Sequence, residues 1–397
     1  MIEPIVFYAL FIVIALVLFN LFPKEQRKFL TIVFLSAFLL RLVAWFFFNI
    51  IIFKNTFEHP DSYYWHDQGI AHLEMLKSFD FNFFSPYSNL FSKFIGLVYF
   101  LFGIYPTLIE FTNIFFGALI PIVGFFLGQR IFDLKTAKIA SILLLLDLYS
   151  IYLSTQFLKD IPFIFFVILT FLAVLNSNHI LFFVSLFSIG MMRGIFLPFI
   201  LIPVFIYLIF NFFKDKKILK FLGFFIIIVF VVFTFNLIPA VQNSTKATLS
   251  VKKPSFVKSH TEFFDENQPK EFKNKLEFFI WLPFAAIYRS LLSPFPWQAN
   301  NLREILFAGY MIWWYALIPF IIYGIYLALK NAKAEVLVLL LFSIITLLIL
   351  SIVYPIAPLA RWRLISFISL IFFSSFGIRK FTDKIKIKNE MSDLSAK

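Results

Sequence analysis

The sequence predicts an all-α fold, a polytopic bundle of about eleven transmembrane helices. Of its 397 residues, 61% are hydrophobic and only 14% are charged, and the mean hydropathy is +0.90. A soluble globular protein is far less apolar than this. The apolar residues also fall into separate stretches, many of them near the roughly 20 residues that a helix needs to cross a bilayer.

The predicted spans follow one another along a single domain that covers residues 1–397. They lie near 2–22, 30–52, 106–127, 139–155, 161–176, 179–192, 195–213, 220–240, 304–329, 335–354 and 363–379. Two long loops, 53–105 and 241–303, separate groups of spans. The apolar run 94–102 is too short to cross, and we predict a helix that lies on the membrane surface.

Alternate connections are short and basic, as is typical of the cytoplasmic side of a membrane. They contain Lys24, Arg27 and Lys28; Arg130, Lys135 and Lys138; Lys214, Lys216, Lys217 and Lys220; Lys330 and Lys333; and Arg379, Lys380, Lys384, Lys386 and Lys388. The net charge of +13 is thus explained by membrane topology, and no nucleic-acid partner is expected. We predict a bacterial inner-membrane protein with its N-terminus outside and its C-terminus in the cytoplasm.

The other connections then face the outside, and they carry the charged residues of interest. They are 53–105, the turn at Lys159-Asp160, the turn at Arg193-Gly194, 241–303 and the turn Tyr354–Arg363. Within the first of them, residues 62–78 have the pattern of an amphipathic helix resting on the interface. The chain has no Cys, which excludes disulfides, thiolate nucleophiles and cysteine metal sites.

The segment from His59 to Asp67 concentrates ionisable and aromatic residues at the mouth of the second predicted span. Polar groups at such a position are the first candidates for function in a membrane protein. Asp61 is predicted to act as a general base, although capping of the helix that follows is an alternative role. His59, Tyr64, His66 and Asp67 are predicted to contact substrate; the spacing of the two histidines is no recognised metal-ligand pattern.

Asp160 begins the fifth predicted span on the same side as Asp61. An acidic residue is favoured at a helix N-terminus by the helix dipole alone. Two carboxylates from separate loops can also share a divalent cation, Mg²⁺ or Mn²⁺, or divide base and binding roles. No cofactor is certain, and Asp61 with Asp160 is the one pair that would hold a metal.

Three arginines face the same side: Arg193, Arg361 and Arg363. A guanidinium binds phosphate oxygens in a bidentate way, so these residues suit a lipid-linked phosphate. Snorkelling beside an aromatic belt is an equally good interpretation for any one of them. Arg41 and Asp147 lie inside spans, where we expect a structural ion pair.

These features together resemble the GT-C superfamily of membrane glycosyltransferases, in particular the branch of protein O-mannosyltransferases and the lipid A aminoarabinose transferase. The resemblance covers most of residues 30–380 in the family's order. It rests on Phe38-Leu39-Leu40-Arg41-Leu42, Pro60-Asp61-Ser62-Tyr63-Tyr64, Phe100-Leu101-Phe102-Gly103, Asn113-Ile114-Phe115-Phe116-Gly117, Asp160, Met192-Arg193-Gly194 and Arg361-Trp362-Arg363-Leu364. The chain departs from the mannosyltransferase branch at Ser62, where that branch has Glu.

The resemblance implies transfer of a sugar from a polyprenyl phosphate or diphosphate donor, with inversion, on the non-cytoplasmic face of the membrane. Asp61 would then deprotonate the acceptor hydroxyl of a glycan, lipid or protein, and Asp160 would organise the acceptor or a metal. Arg193, Arg361 and Arg363 would hold the donor phosphate. Two alternatives stay open: an O-antigen polymerase or ligase that depends on loop 241–303, and a glycolipid flippase.

Overall fold

The computed structural model describes scattered positions between residues 6 and 20, then residues 23–52, 60–84, 89–212, 291–292, 295–298, 302–330, 333–353 and 360–395. These residues form helices and turns, and none of those described lies in a β-strand, so the all-α class is confirmed for them. The predicted span 220–240 and most of the loop 241–303 lie outside the described residues. The chain divides into two compact units, residues 1–197 and 198–397, and a single domain remains a prediction.

Helices in the first unit correspond closely to the apolar stretches of the sequence. They are α1 (Lys24–Trp45), α2 (Pro60–Lys77), α3 (Leu90–Phe102), α4 (Pro106–Ile131), α5 (Leu134–Leu145), α6 (Leu148–Ser154), α7 (Asp160–Leu175) and α8 (His179–Arg193). The π-helix Phe46–Ile52 extends α1, and a 3₁₀ turn, Gly194–Phe196, follows α8. The described positions between residues 6 and 20 are also helical.

Several helices in the described part of the chain are long and apolar enough to cross a membrane, as expected of an integral membrane protein. Four pass by length and composition: Lys24–Ile52, Pro106–Ile131, Ala308–Lys330 and Leu364–Ile387. A fifth is counted if α5 and α6 form one broken span. Other predicted spans coincide with shorter apolar helices such as α7 and α8, and the number of about eleven stays a prediction.

The predicted span 139–155 is a bent pair of helices, with an angle of 53° between α5 and α6. α5 begins earlier than predicted because the side chain of Asp133 accepts a hydrogen bond from the backbone N–H of Thr136 at 3.0 Å. The break occurs at Asp147, whose carboxylate caps α6 by accepting from the N–H of Tyr149 at 3.3 Å. Asp147 therefore divides the predicted span into α5 and α6, because it acts as an N-cap inside an apolar stretch.

One end of the first unit gathers basic side chains. Nε of Arg130, in the last turn of α4, donates to the carbonyl of Leu175 at the end of α7, at 3.2 Å. The ammonium of Lys138 lies 5.6 Å from the ring centroid of Phe29 in α1. Since α7 is 16 residues long, about 24 Å, these contacts lie at the end of the unit opposite to Asp160.

α2 and α3 form a helical hairpin, which confirms the helix predicted over 62–78 and places a 13-residue helix over the run 94–102. The two helices approach closely at Gly69 and Gly96. A Cβ added at Gly96 would lie 2.6 Å from the Cβ of His72, and one added at Gly69 would overlap the side chain of Ile95. α3 is about 20 Å long, too short to cross a bilayer.

The second unit is described mainly through α9 (Leu197–Phe212), α10 (Leu302–Lys330), α11 (Ala334–Val353) and α12 (Ala360–Ser395). α10 and α12 touch through backbone at Gly324 and Gly377, where an added Cβ would overlap the carbonyl groups of Phe373 and Phe320. The rings of Trp314 and Phe367 stack at 3.8 Å.

Hydroxyl pairs join α11 to α12, with Ser343 and Ser369 Oγ atoms 2.6 Å apart and Thr346 Oγ1 equally far from Ser366 Oγ. Ser343, Thr346 and Ser369 also donate to helix carbonyls of Leu339, Phe342 and Ser366, as is common for hydroxyls inside a membrane helix. Small residues and hydroxyls thus form part of the contacts among α10, α11 and α12.

Candidate functional site

A buried ion pair joins two of the predicted site residues, Asp160 and Arg193. Nη2 of Arg193 lies 2.7 Å from Oδ1 of Asp160, and the two side chains are 7% and 4% exposed. Asp160 is the first residue of α7 and Arg193 the last of α8. These helices form an antiparallel pair joined by residues 176–178. The first residue of α7 and the last residue of α8 therefore lie at the same end of the unit.

The surroundings of this pair explain why both charges are tolerated in a buried position. The N-terminus of α7 carries a partial positive charge that favours the carboxylate, and the ring of Phe163 lies 5.5 Å from the guanidinium carbon of Arg193. Oδ2 of Asp160 is buried and has no hydrogen-bond partner in the described part of the chain. One carboxylate oxygen is therefore bound by Arg193 and the other remains able to accept a hydrogen bond.

Lys159 adds a second cation next to Asp160. Its ammonium donates to the carbonyl of Met192 at 2.9 Å and lies 4.1 Å from the ring centroid of Trp65. Nδ2 of Asn89, the N-cap of α3, donates to the same Met192 carbonyl at 2.9 Å. The residue before Arg193 is thus held by Lys159 and by the α2–α3 hairpin together.

Asp61 belongs to the helix that makes these contacts. It lies four residues before Trp65 in α2, so the two side chains share one side of the helix. Trp65 packs against Lys159, and Lys159 precedes the buried ion pair. The structure brings Asp160 and Arg193 into direct contact and docks the helix of Asp61 against the same end of the unit; Asp61 itself is half-buried.

His66 faces the interior of the unit. Its Nδ1 lies 2.8 Å from the hydroxyl of Tyr99 in α3, and its ring packs against Phe157. Burial lowers the pKa of His66, although the charge of Asp67 raises it in part. Burial also raises the pKa of Tyr99, so its hydroxyl stays protonated and able to donate to the imidazole.

The other predicted substrate contacts are less closely associated with the ion pair. Tyr64 is 55% exposed, with its ring against Trp65, and Asp67 is also exposed. Arg361 and Arg363 lie in the first turn of α12, but their side chains are outside the described residues. His59 lies outside them as well.

A second polar cluster, which the sequence analysis missed, supports the connection that leads to Asp160. Oε2 of Glu110 accepts from Nε1 of Trp45 at 2.7 Å and from Nδ2 of Asn49 at 3.0 Å. Asn49 also donates to the carbonyl of Thr155 at 3.0 Å. Burying an acidic residue inside an apolar span costs free energy unless the carboxylate is paired. The position of Glu110 in such a span could therefore have predicted that it has polar partners.

Asn113 acts on the same connection from the next turn of α4. Its Nδ2 donates to the carbonyls of Gln156 and Leu158, at 2.7 and 2.8 Å. Residues 155–158 are irregular and buried, so their carbonyls need partners from side chains. Asn49 and Asn113 supply them, and in this way they fix where α7 and Asp160 begin.

A divalent cation would need several acidic or histidine side chains close together. In the described ranges, no group of three or more His, Asp or Glu side chains could hold a metal ion. Asp160, with its charge offset by Arg193 at 2.7 Å, is a poor ligand for a divalent cation that prefers several anionic oxygens. These residues do not fit a resident Mg²⁺ or Mn²⁺ ion.

Arg41 and Asp147, the predicted structural pair, are both fully buried. The guanidinium of Arg41 donates to the hydroxyls of Ser150 and Ser154 and to the carbonyl of Ala37, each at 3.2 Å. Asp147 is near enough to interact electrostatically with it, but the carboxylate is used to cap α6 instead of accepting these bonds. Arg41 and Asp147 therefore interact through their charges, while Arg41 makes its hydrogen bonds with serine hydroxyls and a backbone carbonyl.

His72 is a buried titratable residue of the α2–α3 hairpin. It is 3% exposed, and neither ring nitrogen has a hydrogen-bond partner within the described residues. Burial lowers the pKa of His72 from its ordinary value, and the charge of Lys93 lowers it further. The fold therefore favours the neutral ring, which packs edge-on against Phe83 at 5.7 Å.

Acidification should loosen the hairpin through His72. A histidine whose pKa is lower in the folded state contributes stability that is present above its unfolded value, about 6.5, and is lost as pH falls through the folded pKa. We expect amide hydrogen exchange in 60–84 and 89–102, corrected for intrinsic rates, to be faster at pH 5 than at pH 7.5. His72→Phe should reduce this difference and exposed His179→Phe should not; an undiminished difference in His72→Phe would contradict the assignment.

Comparisons with known proteins give no further identification. The sequence matches no known family model and no curated protein. The candidate site consists of the buried Asp160–Arg193 pair, the neighbouring ammonium group of Lys159 and the packed helix α2, which carries Asp61 in its first turn.

Proposed function

We propose that the protein is a membrane glycosyltransferase of the GT-C type, which moves a sugar from a polyprenyl phosphate or diphosphate to an acceptor hydroxyl. The observation that carries the proposal is the buried Asp160–Arg193 pair at the end of the unit against which the helix of Asp61 packs. Under this proposal the full chain has about eleven spans and acts on the non-cytoplasmic face of a bacterial inner membrane. The acceptor is a glycan, a lipid or a protein.

Asp61 is the proposed general base. It takes the proton of the acceptor hydroxyl while the acceptor oxygen forms a bond to the anomeric carbon of the donor sugar. The bond from that carbon to the phosphate oxygen breaks on the opposite side, so the anomeric configuration inverts. The polyprenyl phosphate or diphosphate leaves with the electron pair, and the proton remains on Asp61 until it exchanges with water.

Arginine charge is the proposed means of stabilising that leaving group. Preorganised charges act most strongly where charge develops in the transition state, in a site from which water is excluded. Arg193 is held in place by Asp160, and Lys159 lies next to it. Asp160 therefore serves to position Arg193. Phosphate binding by Arg361 and Arg363 stays a prediction from the sequence.

A transfer assay with defined donors tests the function. The full-length protein is reconstituted in liposomes with a panel of polyprenyl phosphates and diphosphates that carry radiolabelled sugars, and cell-envelope extract supplies acceptors. We expect protein-dependent movement of label out of the lipid fraction. Asp61→Asn should lower the rate by roughly 10²–10⁴-fold, the usual contribution of a general base, while leaving the protein folded.

Glu74→Gln is the matched control, because it removes one negative charge from the exposed side of the same helix. It should leave the rate unchanged. Full activity in Asp61→Asn would remove Asp61 as the base. Glycolipid that crosses the bilayer intact, with no cleavage of any donor, would replace the proposal with a flippase.

A further inference from the structure

The turn that follows α2 is held in a defined shape by hydrogen bonds. The N–H of Asp80 donates to the carbonyl of Met75 at 2.8 Å, and the carboxylate of Asp80 accepts from the N–H of Asn82 at 2.9 Å. Phe79 adopts a φ of 53°, the left-handed conformation that a bulky residue rarely takes. We name residues 78–84 the aromatic turn.

Three phenylalanines of the aromatic turn point away from the protein. Phe79, Phe81 and Phe84 are 86%, 85% and 72% exposed. Phe83, in contrast, packs inward on His72. One aromatic ring of the turn thus packs within the hairpin, and three lie on its surface. Contact of these three rings with water would be unfavourable.

A second group of exposed apolar residues lies in the second half of α3 and just after it. Leu97, Phe100 and Leu101 are exposed in α3 and Ile104 follows it, while the other side of α3 packs against α2. Residues 103–105 then lead directly into α4, which is long and apolar enough to cross a membrane. The hairpin therefore exposes apolar residues both at the aromatic turn and next to a helix that could span the bilayer.

Polar residues lie beside the phenylalanines, as is typical of segments at a membrane–water interface. Lys77, Asp80 and Asn82 lie in or beside the turn. Lys77 can reach lipid phosphate, and aromatic rings are enriched at the level of the headgroups. The exposed side of α2, which includes Asp67, Ala71 and Glu74, is by comparison mostly polar.

We propose that the aromatic turn is a membrane anchor, in which Phe79, Phe81 and Phe84 insert into the headgroup and upper acyl region of the bilayer. The partner is a phospholipid surface. α2 is 18 residues long, about 27 Å, with Asp61 in its first turn and the aromatic turn just beyond its end. Anchoring the turn therefore fixes the far end of the helix that carries Asp61, independently of what reaction the protein catalyses.

The proposal is tested by the depth of single spin labels. Because the chain has no Cys, each introduced cysteine is the only labelling site. The full-length variants Phe81→Cys and Phe84→Cys, with Ala71→Cys on the exposed polar side of α2 as control, are labelled and reconstituted in vesicles of phosphatidylcholine and phosphatidylglycerol. Collision rates of each label with oxygen, which partitions into lipid, and with a water-soluble nickel chelate are compared.

We expect the ratio of oxygen to nickel accessibility to be several-fold higher at positions 81 and 84 than at position 71. A ratio at both positions equal to that at 71 would place the turn in water and overturn the proposal. Labels that are immobile and inaccessible to both reagents would also overturn it, because they would show that protein, such as a second copy of the chain, covers the turn. If one substitution disturbs folding, the label at the other position still reports the depth of the turn.

Discussion

Asp160→Ala is expected to be among the most destabilising single substitutions in the first unit. The substitution removes the ion-pair partner of Arg193, whose side chain is only 7% exposed. Breaking a buried pair from one side leaves an uncompensated charge, which typically costs about 3–5 kcal/mol. We expect a clear fall in the unfolding midpoint of the purified protein in detergent, measured by loss of monodisperse protein on heating.

Two comparisons make this result specific to the buried pair. Glu74→Ala breaks an exposed ion pair with Lys77, where the expected cost is below about 1 kcal/mol. The double substitution Asp160→Leu with Arg193→Met replaces both charges by apolar groups and should recover much of the lost stability. A midpoint for Asp160→Ala equal to that of Glu74→Ala would show that Arg193 is solvated and not buried.

The same double substitution separates stability from function. Under the proposed function it restores the fold but removes the cation that holds the donor phosphate, so transfer should stay low. Recovery of both stability and transfer in that variant would leave the pair a structural role alone. Under the proposed function the Asp160–Arg193 pair thus has two roles: it stabilises the packing of α7 against α8, and it positions Arg193 for binding the donor phosphate.

Sequence reasoning located the helices well, because apolar runs and their flanking charges mark them directly. The helix over 62–78 and the short helix over the run 94–102 are confirmed. Alternating basic loops predicted that the turns of Asp160 and Arg193 face the same side, but not that the two side chains form an ion pair. That contact depends on how α7 and α8 pack against each other.

The polar supports of the site could not be predicted in the same way. Glu110 meets Trp45 and Asn49 across more than 60 residues of sequence, and nothing local to either segment specifies the pairing. The division of the span 139–155 was also missed, because hydropathy averages over Asp147 and does not register an N-cap. Contacts of this kind depend on the tertiary packing of helices, which one sequence does not encode as a readable pattern.

Arg41→Ala is the second substitution for which a large loss of stability is expected. Arg41 is completely buried and joins α1 to α6 through Ser150 and Ser154. α4 passes so closely that a Cβ on Gly117 would overlap Arg41 and Ser154. Removing the guanidinium would leave Asp147 uncompensated and open a cavity, at a cost of roughly 3–5 kcal/mol.

Charge and geometry contribute separately to this effect, and two further variants distinguish them. Arg41→Lys keeps the charge but not the planar set of donors, so it should give an intermediate midpoint. Arg41→Met combined with Asp147→Asn removes both charges and should be more stable than Arg41→Ala. Equal midpoints for Arg41→Lys and the parent protein would mean that charge alone matters at this position.

Arg41 also bears on the choice between a transferase and a transporter. A transporter needs a polar route across the bilayer, and charged residues inside spans, such as Arg41 and Asp147, are the groups that could line one. Both side chains are buried, Arg41 donates to the hydroxyls of Ser150 and Ser154, and Arg41 lies eight residues before Asn49 at the candidate-site end. We therefore expect the transfer rate per folded molecule of Arg41→Lys to match the parent; a folded Arg41→Lys variant without transfer would place substrate along this interior path and favour transport.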